Sequence, residues 1–279
     1  MINFEKNLYS PKVVAEIGAC HLGDMERAKT LCLLAKRSGS SYVKLQKRNP
    51  EESTPEHIKK SPHPNKKFSY GDNYLEHRKN LELNFFEHEE IQQYCNNIEI
   101  NYSCSVWDMT SAQQIVSLNP GFIKIPSPCN HNWDMMNYLR DNYSGDLHIS
   151  TGMTTKEERS KIIEWCKNID DRIVFYHSTS VYPCPFNDLY LLEINNLKEI
   201  FQNTKVRIGF SNHGYGIAVD IAAYMLGAEW IERHFIDDRA TRHTDAKASL
   251  EPDELSCLIR DLEAVRSSLT FRPDDFMTE

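Results

Sequence analysis

The sequence predicts an α/β fold, a (β/α)8 TIM barrel, and three observations carry that expectation. Eight short runs rich in Val, Ile and aromatic residues recur along the chain. Amphipathic stretches with helical spacing lie between most of them. The length of 279 residues suits one closed barrel of about 250 residues better than an open sheet.

In chain order the β-like runs fall at 13–17, 41–45, 99–105, 122–125, 146–150, 172–177, 206–211 and 230–235. Apolar residues at helical spacing mark 25–37, where Ala28, Leu31, Leu34 and Ala35 share a face. The same pattern appears at 84–96, 156–168, 217–226 and 254–269. Strands alternating with such helices read as parallel β/α units. One segment breaks the rhythm. Residues 47–83 hold Pro50, Pro55, Pro62, Pro64 and many charges, and a connection that long is expected to be a functional lid or partly disordered. A polar tail is expected at about 270–279, so the whole of 1–279 reads as one catalytic barrel.

Composition narrows the function classes. With 32 Lys and Arg against 40 Asp and Glu, the net charge is −8. That argues against a nucleic-acid partner, because phosphate backbones are held by basic surfaces. The eight cysteines include no CxxC pair, so neither a zinc ribbon nor a thioredoxin-like motif is indicated. The first residues, MINFEKNLYSPK, contain no apolar signal core, and no run approaches membrane-spanning length. A reduced, cytoplasmic enzyme without a membrane partner is expected.

The informative pattern is where polar residues fall. Nearly every β-like run ends in one: Glu16, then Cys20; Lys44 and Gln46; Ser105; Lys124 and Ser127; Ser150; His177 with Ser178, Ser180 and Tyr182; Ser211 and His213; Glu232 and His234. In a barrel these ends converge on the mouth where such enzymes place their chemistry. Lys124, flanked by Ile123 and Ile125, is expensive to bury without an anion. Two strand lysines with Ser105, Ser127, Ser150 and Ser211 resemble a cradle for a small phosphate compound. Taken singly, each residue has a plainer role: a strand lysine could pair with a core glutamate, and strand-end serines are common turn residues. Eight coincident strand ends favour the cradle. His213 and His234 end adjacent strands and could share a divalent ion acting as a Lewis acid; alone, each would more often be structural. His57, His63, His77, His88, His131, His148 and His243 read as solvated or loop residues, with His243 near the mouth.

The segments VAEIGACHLGDMERAKTL, YVKLQ, IKIPS, ISTGMTTKEE, HSTSVYPCPFNDL, IGFSNHGYGIAVDIAAYMLGA, IERHF and DAKASLEPDEL resemble the N-acetylneuraminate (sialic acid) synthase family, in matching order over about 13–265. The resemblance implies a (β/α)8 barrel, phosphoenolpyruvate as one substrate and an open-chain amino-sugar aldehyde as the other. It also implies a divalent metal, typically manganese, with magnesium or cobalt as alternatives. By motif match Lys44 and Lys124 would bind phosphoenolpyruvate, with Ser105, Ser127, Ser150, Ser211 and nearby Ser180 hydrogen-bonding it. His213 and His234 match metal ligands. Glu16, Gln46, Asn65, Tyr182 and Asp245 match sugar-contacting positions, and Glu16 would handle a proton or orient the aldehyde.

Three departures qualify the match. The family usually carries a C-terminal antifreeze-like domain that donates an arginine to the partner subunit's site. The chain ends at Glu279, so a separate antifreeze-like protein is one expected partner, and a homodimer another. A sugar-contacting glutamate is replaced by Cys129. An Asn before His21 is replaced by Cys20, which gives a candidate third metal ligand; the plain alternative is a small mouth-lining thiol. Other readings stay open: an octulosonate- or heptulosonate-type synthase, a Schiff-base aldolase using Lys124, and a non-catalytic barrel subunit.

Overall fold

Eight parallel strands close into a barrel in sequence order. The structure, a computed structural model, describes residues 9–270. The strands are β1 (Lys12–Gly18), β2 (Tyr42–Lys47), β3 (Asn101–Val106), β4 (Phe122–Ile125), β5 (Asp146–Ser150), β6 (Ile173–Ser178), β7 (Arg207–Asn212) and β8 (Trp230–His234). Each predicted run corresponds to a strand, with ends displaced by two residues at most. The expected polar tail lies, from residue 271 on, outside the described residues.

Helix α1 (Met25–Arg37) begins where Asp24 accepts from Arg27 N and buries Ala28, Leu31, Cys32 and Ala35 against the barrel. The long connection after β2 is folded rather than open. It holds α2 (Pro50–Ser53), α3 (Glu56–Lys59), a 3₁₀ turn (Lys66–Phe68) and α4 (Tyr74–Leu81). Asn49, Asn65 and Asn73 each cap one of these pieces with a side-chain oxygen. Arg242, on the connection after β8, fastens the turn by donating to the carbonyls of Lys67 and Ser69. Helices α5 (Phe85–Asn97), α6 (Met109–Leu118), α7 (Trp133–Asn142), α8 (Lys156–Lys167), α9 (Glu193–Ile200), α10 (Ala218–Leu226) and α11 (Pro252–Ser268) complete the outer ring. Among the described residues no helix is long and apolar enough to cross a membrane.

Strand alternation and register stack the barrel interior in layers of four, drawn in turn from even and odd strands. The lowest layer is Tyr42, Phe122, Val174 and Trp230. Val14, Ser103, His148 and Gly209 lie above it. The His148 ring stacks on Phe122 with centroids 3.6 Å apart and meets Trp230 edge-on at 4.5 Å. Gly209 is required here, because a Cβ would strike the Tyr176 ring. These two layers plug the barrel floor. The third layer is Lys44, Lys124, Tyr176 and Glu232, and the fourth Glu16, Ser105, Ser150 and Ser211. Barrel layers are ordinarily filled by branched apolar residues; here the upper two are polar.

His88 and His148, expected to be solvated, are fully buried. Each pairs through Nδ1 with a tyrosine hydroxyl, Tyr102 at 2.7 Å and Tyr176 at 3.0 Å. Burial holds both imidazoles well below the ordinary histidine range, so they are neutral in the folded protein and gain protons on unfolding below about pH 6.5. Stability is therefore fully present above that pH and declines as pH falls, by up to about 1.4 kcal/mol per pH unit for each imidazole. Thermal melts from pH 7 to pH 5 are expected to show this decline, and His148→Phe, which keeps the ring stack, is expected to flatten it.

Candidate active site

The strand ends and the β2–β3 connection enclose a cavity of about 280 Å³. Its floor is the pair of polar layers. The Lys44 ammonium forms an ion pair with Glu16 and donates to Ser105 Oγ at 2.7 Å. The Lys124 ammonium donates to Glu232 Oε1 at 2.6 Å and lies 4.3 Å from the Tyr176 ring centroid. Glu232 Oε2 is 3.8 Å from Lys44, which links the two pairs. Ser211 Oγ donates to Glu232 Oε1 at 3.1 Å, and Gln46 Nε2 to Glu16 Oε1 at 2.8 Å.

All four charged groups are almost wholly buried. Burial lowers the Lys124 ammonium to about 8, with Glu232 opposing the shift and Lys44 reinforcing it. Burial also lowers Lys44, but Glu16 and Glu232 outweigh it and the net shift is upward. Burial would raise the Glu232 carboxyl; Lys124 and Lys44 reverse that and hold it well below the usual range. Glu232 is the core glutamate that the plain reading of a strand lysine called for. It also lines the cavity, so the pairing and the anion cradle occur together. The sequence places it among the strand-end polar residues without giving it a role, although it lies two residues before His234 on the same strand face.

Ser105, Ser127, Ser150, Ser180 and Ser211 all line the cavity, as does Ser178 at the end of β6. Ser150 Oγ is buried without a hydrogen-bond partner, which in a folded protein calls for a ligand or water. Gly152 permits the convergence, because a Cβ there would collide with Ser180 Oγ and Ser127 Oγ.

His213 and His234 face each other across the rim, ring centroids 5.4 Å apart, and Tyr182 covers His213 at 4.1 Å. His213 Nδ1 donates to the Thr179 carbonyl at 2.8 Å, which leaves Nε2 as a free lone pair aimed by its backbone anchor. Burial, aided by His234, lowers His213 to about 3, so it is neutral. His234 Nδ1 is buried and unpartnered, with Asp245 Oδ2 at 3.8 Å; His243 Nδ1 is equally far from that oxygen. Two adjacent imidazoles with unused lone pairs fit a divalent ion. Among the described residues, however, no three His, Cys, Asp or Glu side chains gather closely enough to hold one unaided.

Two sequence candidates do not reach the cavity wall. Cys20 follows the β1 irregularity at Gly18, whose φ is +57°. Its thiol is turned into the protein, with Sγ 3.6 Å from His243 Nδ1, and burial raises its pKa well above the ordinary value. Asn65 is exposed, and its side chain is used to cap the 3₁₀ turn at Lys67 N. The β2–β3 connection instead supplies Arg48, His63, His77, Arg78 and Leu81 to the wall, with Trp107 from just after β3. His63 and His77 are thus cavity residues rather than solvated ones. These positions carry no periodic signal, because the connection's short helices place them. Cys129 is buried, Sγ 3.5 Å from the Trp107 carbonyl, outside this cavity.

A family model for the NeuB family matches residues 31–272. The chain belongs to that family. It is 31% identical to human N-acetylneuraminate-9-phosphate synthase over 257 residues, covering 92% of this chain and 70% of that protein. It is 31% identical to the N,N'-diacetyllegionaminic acid synthase of Campylobacter jejuni over 260 residues, covering 92% and 77%. Among solved structures, the N-acetylneuraminic acid synthetase of Leptospira borgpetersenii, in complex with citrate, superposes with a TM-score of 0.81. That match has 23% identity and covers 97% of this chain and 89% of that one. It bears out the barrel fold.

Glu232→Gln removes one partner of a buried ion pair and is expected to cost about 3 kcal/mol of stability, read as a lower melting temperature. Added inorganic phosphate is expected to restore more stability to this variant than to the unaltered chain, because it supplies Lys124 with a counter-charge.

Proposed function

We propose that this NeuB-family protein condenses phosphoenolpyruvate with an open-chain amino-sugar aldehyde, giving a nonulosonic acid and inorganic phosphate. The observation that carries this reading is the buried floor, where Lys44 and Lys124 stand among serines with Ser150 Oγ unpartnered. The named relatives act on different sugars, so the exact sugar does not follow from kinship.

Phosphoenolpyruvate carries a phosphate of about −1.5 to −2 and a carboxylate. The cavity wall offers Lys44, Lys124, Arg48 and Arg78 against Glu16, Glu232 and Asp245, a surplus of one positive charge apart from the imidazoles. A divalent cation on His213 and His234 would offset the remaining anionic charge, and manganese is the metal we favour. When bound, it supplies Lewis acidity at the aldehyde oxygen.

The chain's own residues then do the following. Lys44 and Lys124 neutralise phosphoenolpyruvate, and the serine hydroxyls orient its oxygens. Gln46, Tyr182 and Asp245 position the sugar so that its aldehyde carbon faces C3 of phosphoenolpyruvate. Attack by C3 forms the carbon–carbon bond and leaves positive charge at C2. Water adds there, and phosphate departs with cleavage of the C2–O bond. Glu16, held by Lys44 and Gln46, orients the water or takes its proton. A cytoplasmic setting and a homodimer belong to the same proposal.

His213→Ala and Lys124→Ala are each expected to reduce phosphate release from phosphoenolpyruvate and an amino sugar by about 10³-fold or more. Chelation is expected to abolish the activity and manganese to restore it; activity undiminished by chelation would remove the metal from the proposal. Because the free Lys124 ammonium loses its proton at about 8, kcat/KM for phosphoenolpyruvate is expected to fall as pH rises through that value. A pH–rate profile flat to pH 9.5 would contradict that role.

A further inference from the structure

We infer that Arg233, which does not line the cavity, is the positioning residue that holds His213 and Asp245 in place together. Alternation along β8 sends Glu232 and His234 into the barrel and Arg233 outward, between the strands and the helices. It is 1% exposed there, the largest fully buried side chain among the described residues. Its guanidinium gathers backbone from two connections. Nη1 donates to the Gly216 carbonyl at 2.6 Å, and Nη2 to the Gly214 carbonyl at 2.8 Å and the Ala248 carbonyl at 3.4 Å. Nη1 also donates to Asp220 Oδ2 at 2.5 Å, a counter-charge supplied from the first turn of α10.

This knot brackets His213. Asn212 is fully buried and in register with Arg233. It donates from Nδ2 to Asp220 Oδ1 at 2.8 Å, and its Oδ1 accepts from Gly214 N at 2.7 Å. The residues on either side of His213 are therefore fixed to Asp220 and Arg233, while its own ring is anchored on the Thr179 carbonyl. The knot also reaches Asp245. Ala248 closes a 3₁₀ turn (Ala246–Ala248), and its N–H donates back to the Asp245 carbonyl at 3.0 Å. Ser249 Oγ donates to the same oxygen at 2.9 Å. One planar fork thus ties the connection that carries His213 to the connection that carries Asp245, whose carboxylate faces His234 and His243.

Holding the fold is a weak reason for this arrangement. Apolar side chains of similar volume often stabilise a core as well as a buried ion pair does. Arg233 Nε is in addition buried without an acceptor, a further penalty. What apolar packing lacks is the means to fix three carbonyls from two connections. Lysine would keep the charge opposite Asp220 but lacks the rigid fork that serves several acceptors at once.

The inference rests on the divalent ion proposed at His213 and His234. Its test uses Arg233→Lys, which retains the ion pair, and a double variant, Arg233→Met with Asp220→Asn, which removes both charges at similar volume. Manganese binding is read from the electron paramagnetic resonance of the free ion, and phosphoenolpyruvate binding to the metal-free chain by calorimetry. Each variant is expected to bind manganese about 10- to 100-fold more weakly than the unaltered chain. Phosphoenolpyruvate affinity is expected to stay unchanged, because Lys44 and Lys124 stand on β2 and β4. Undiminished manganese affinity in a folded variant, or parallel loss of both ligands, would overturn the inference. Failure of both variants to fold would also overturn it, by assigning the knot to the fold. If the unaltered chain binds no manganese, the metal reading fails by itself, and amide hydrogen exchange of Arg233→Lys decides the positioning role. Faster exchange confined to 213–216 and 245–249 sustains it; unchanged exchange, or faster exchange throughout the barrel, overturns it.

Discussion

Two ammonium–carboxylate pairs buried inside a closed barrel are the constraint on which the rest of this structure depends. Lys44 with Glu16, and Lys124 with Glu232, occupy layers that a barrel would ordinarily fill with branched apolar side chains. Withdrawing four charges from water costs several kcal/mol per ion unless they are paired and hydrogen-bonded. Here the pairs are cross-linked through Glu232 and supported by Ser105, Ser211 and Gln46. The aromatic plug beneath them, built on Phe122, His148 and Trp230, supplies the apolar packing that the upper layers forgo. The folding cost of the floor is what makes it a preorganised anion site rather than a filled core.

The cavity divides its labour by height. Charges on the floor are balanced internally, so a small anion there competes with carboxylates already in place and binds with geometric selectivity. The rim imidazoles present unused lone pairs and the rim guanidiniums present uncompensated charge. The β2–β3 connection carries the guanidiniums, and Arg242 ties its far end to the β8 side of the mouth. Both walls of the site are thereby held in register although they come from distant parts of the chain.

The barrel was largely legible in the sequence because its signals are local and periodic. Lys124 between two isoleucines announced a buried charge, and the serines and histidines at strand ends announced a mouth. Glu232 was visible at a strand end beside His234, but its role was not, because its pairing with Lys124 and Lys44 crosses the barrel between distant parts of the chain. Arg48, Arg78, His63 and His77 were illegible for another reason. They reach the cavity through short capped helices whose packing no single-chain periodicity encodes. His88 and His148 misled because a buried imidazole paired with a tyrosine looks, in sequence, like any polar residue. Asn65 and Cys20 were assigned by motif position. The fold uses the first as a helix cap and turns the second inward against His243.

The central claim is that this floor activates phosphoenolpyruvate for carbon–carbon bond formation with loss of phosphate by C–O cleavage. Phosphoenolpyruvate labelled with heavy oxygen at the bridging position tests it most directly, with both products read by mass spectrometry. The account expects the label in the released phosphate and an acid three carbons longer than the sugar supplied. Label retained in the organic product, or pyruvate formed without any extended acid, would contradict it.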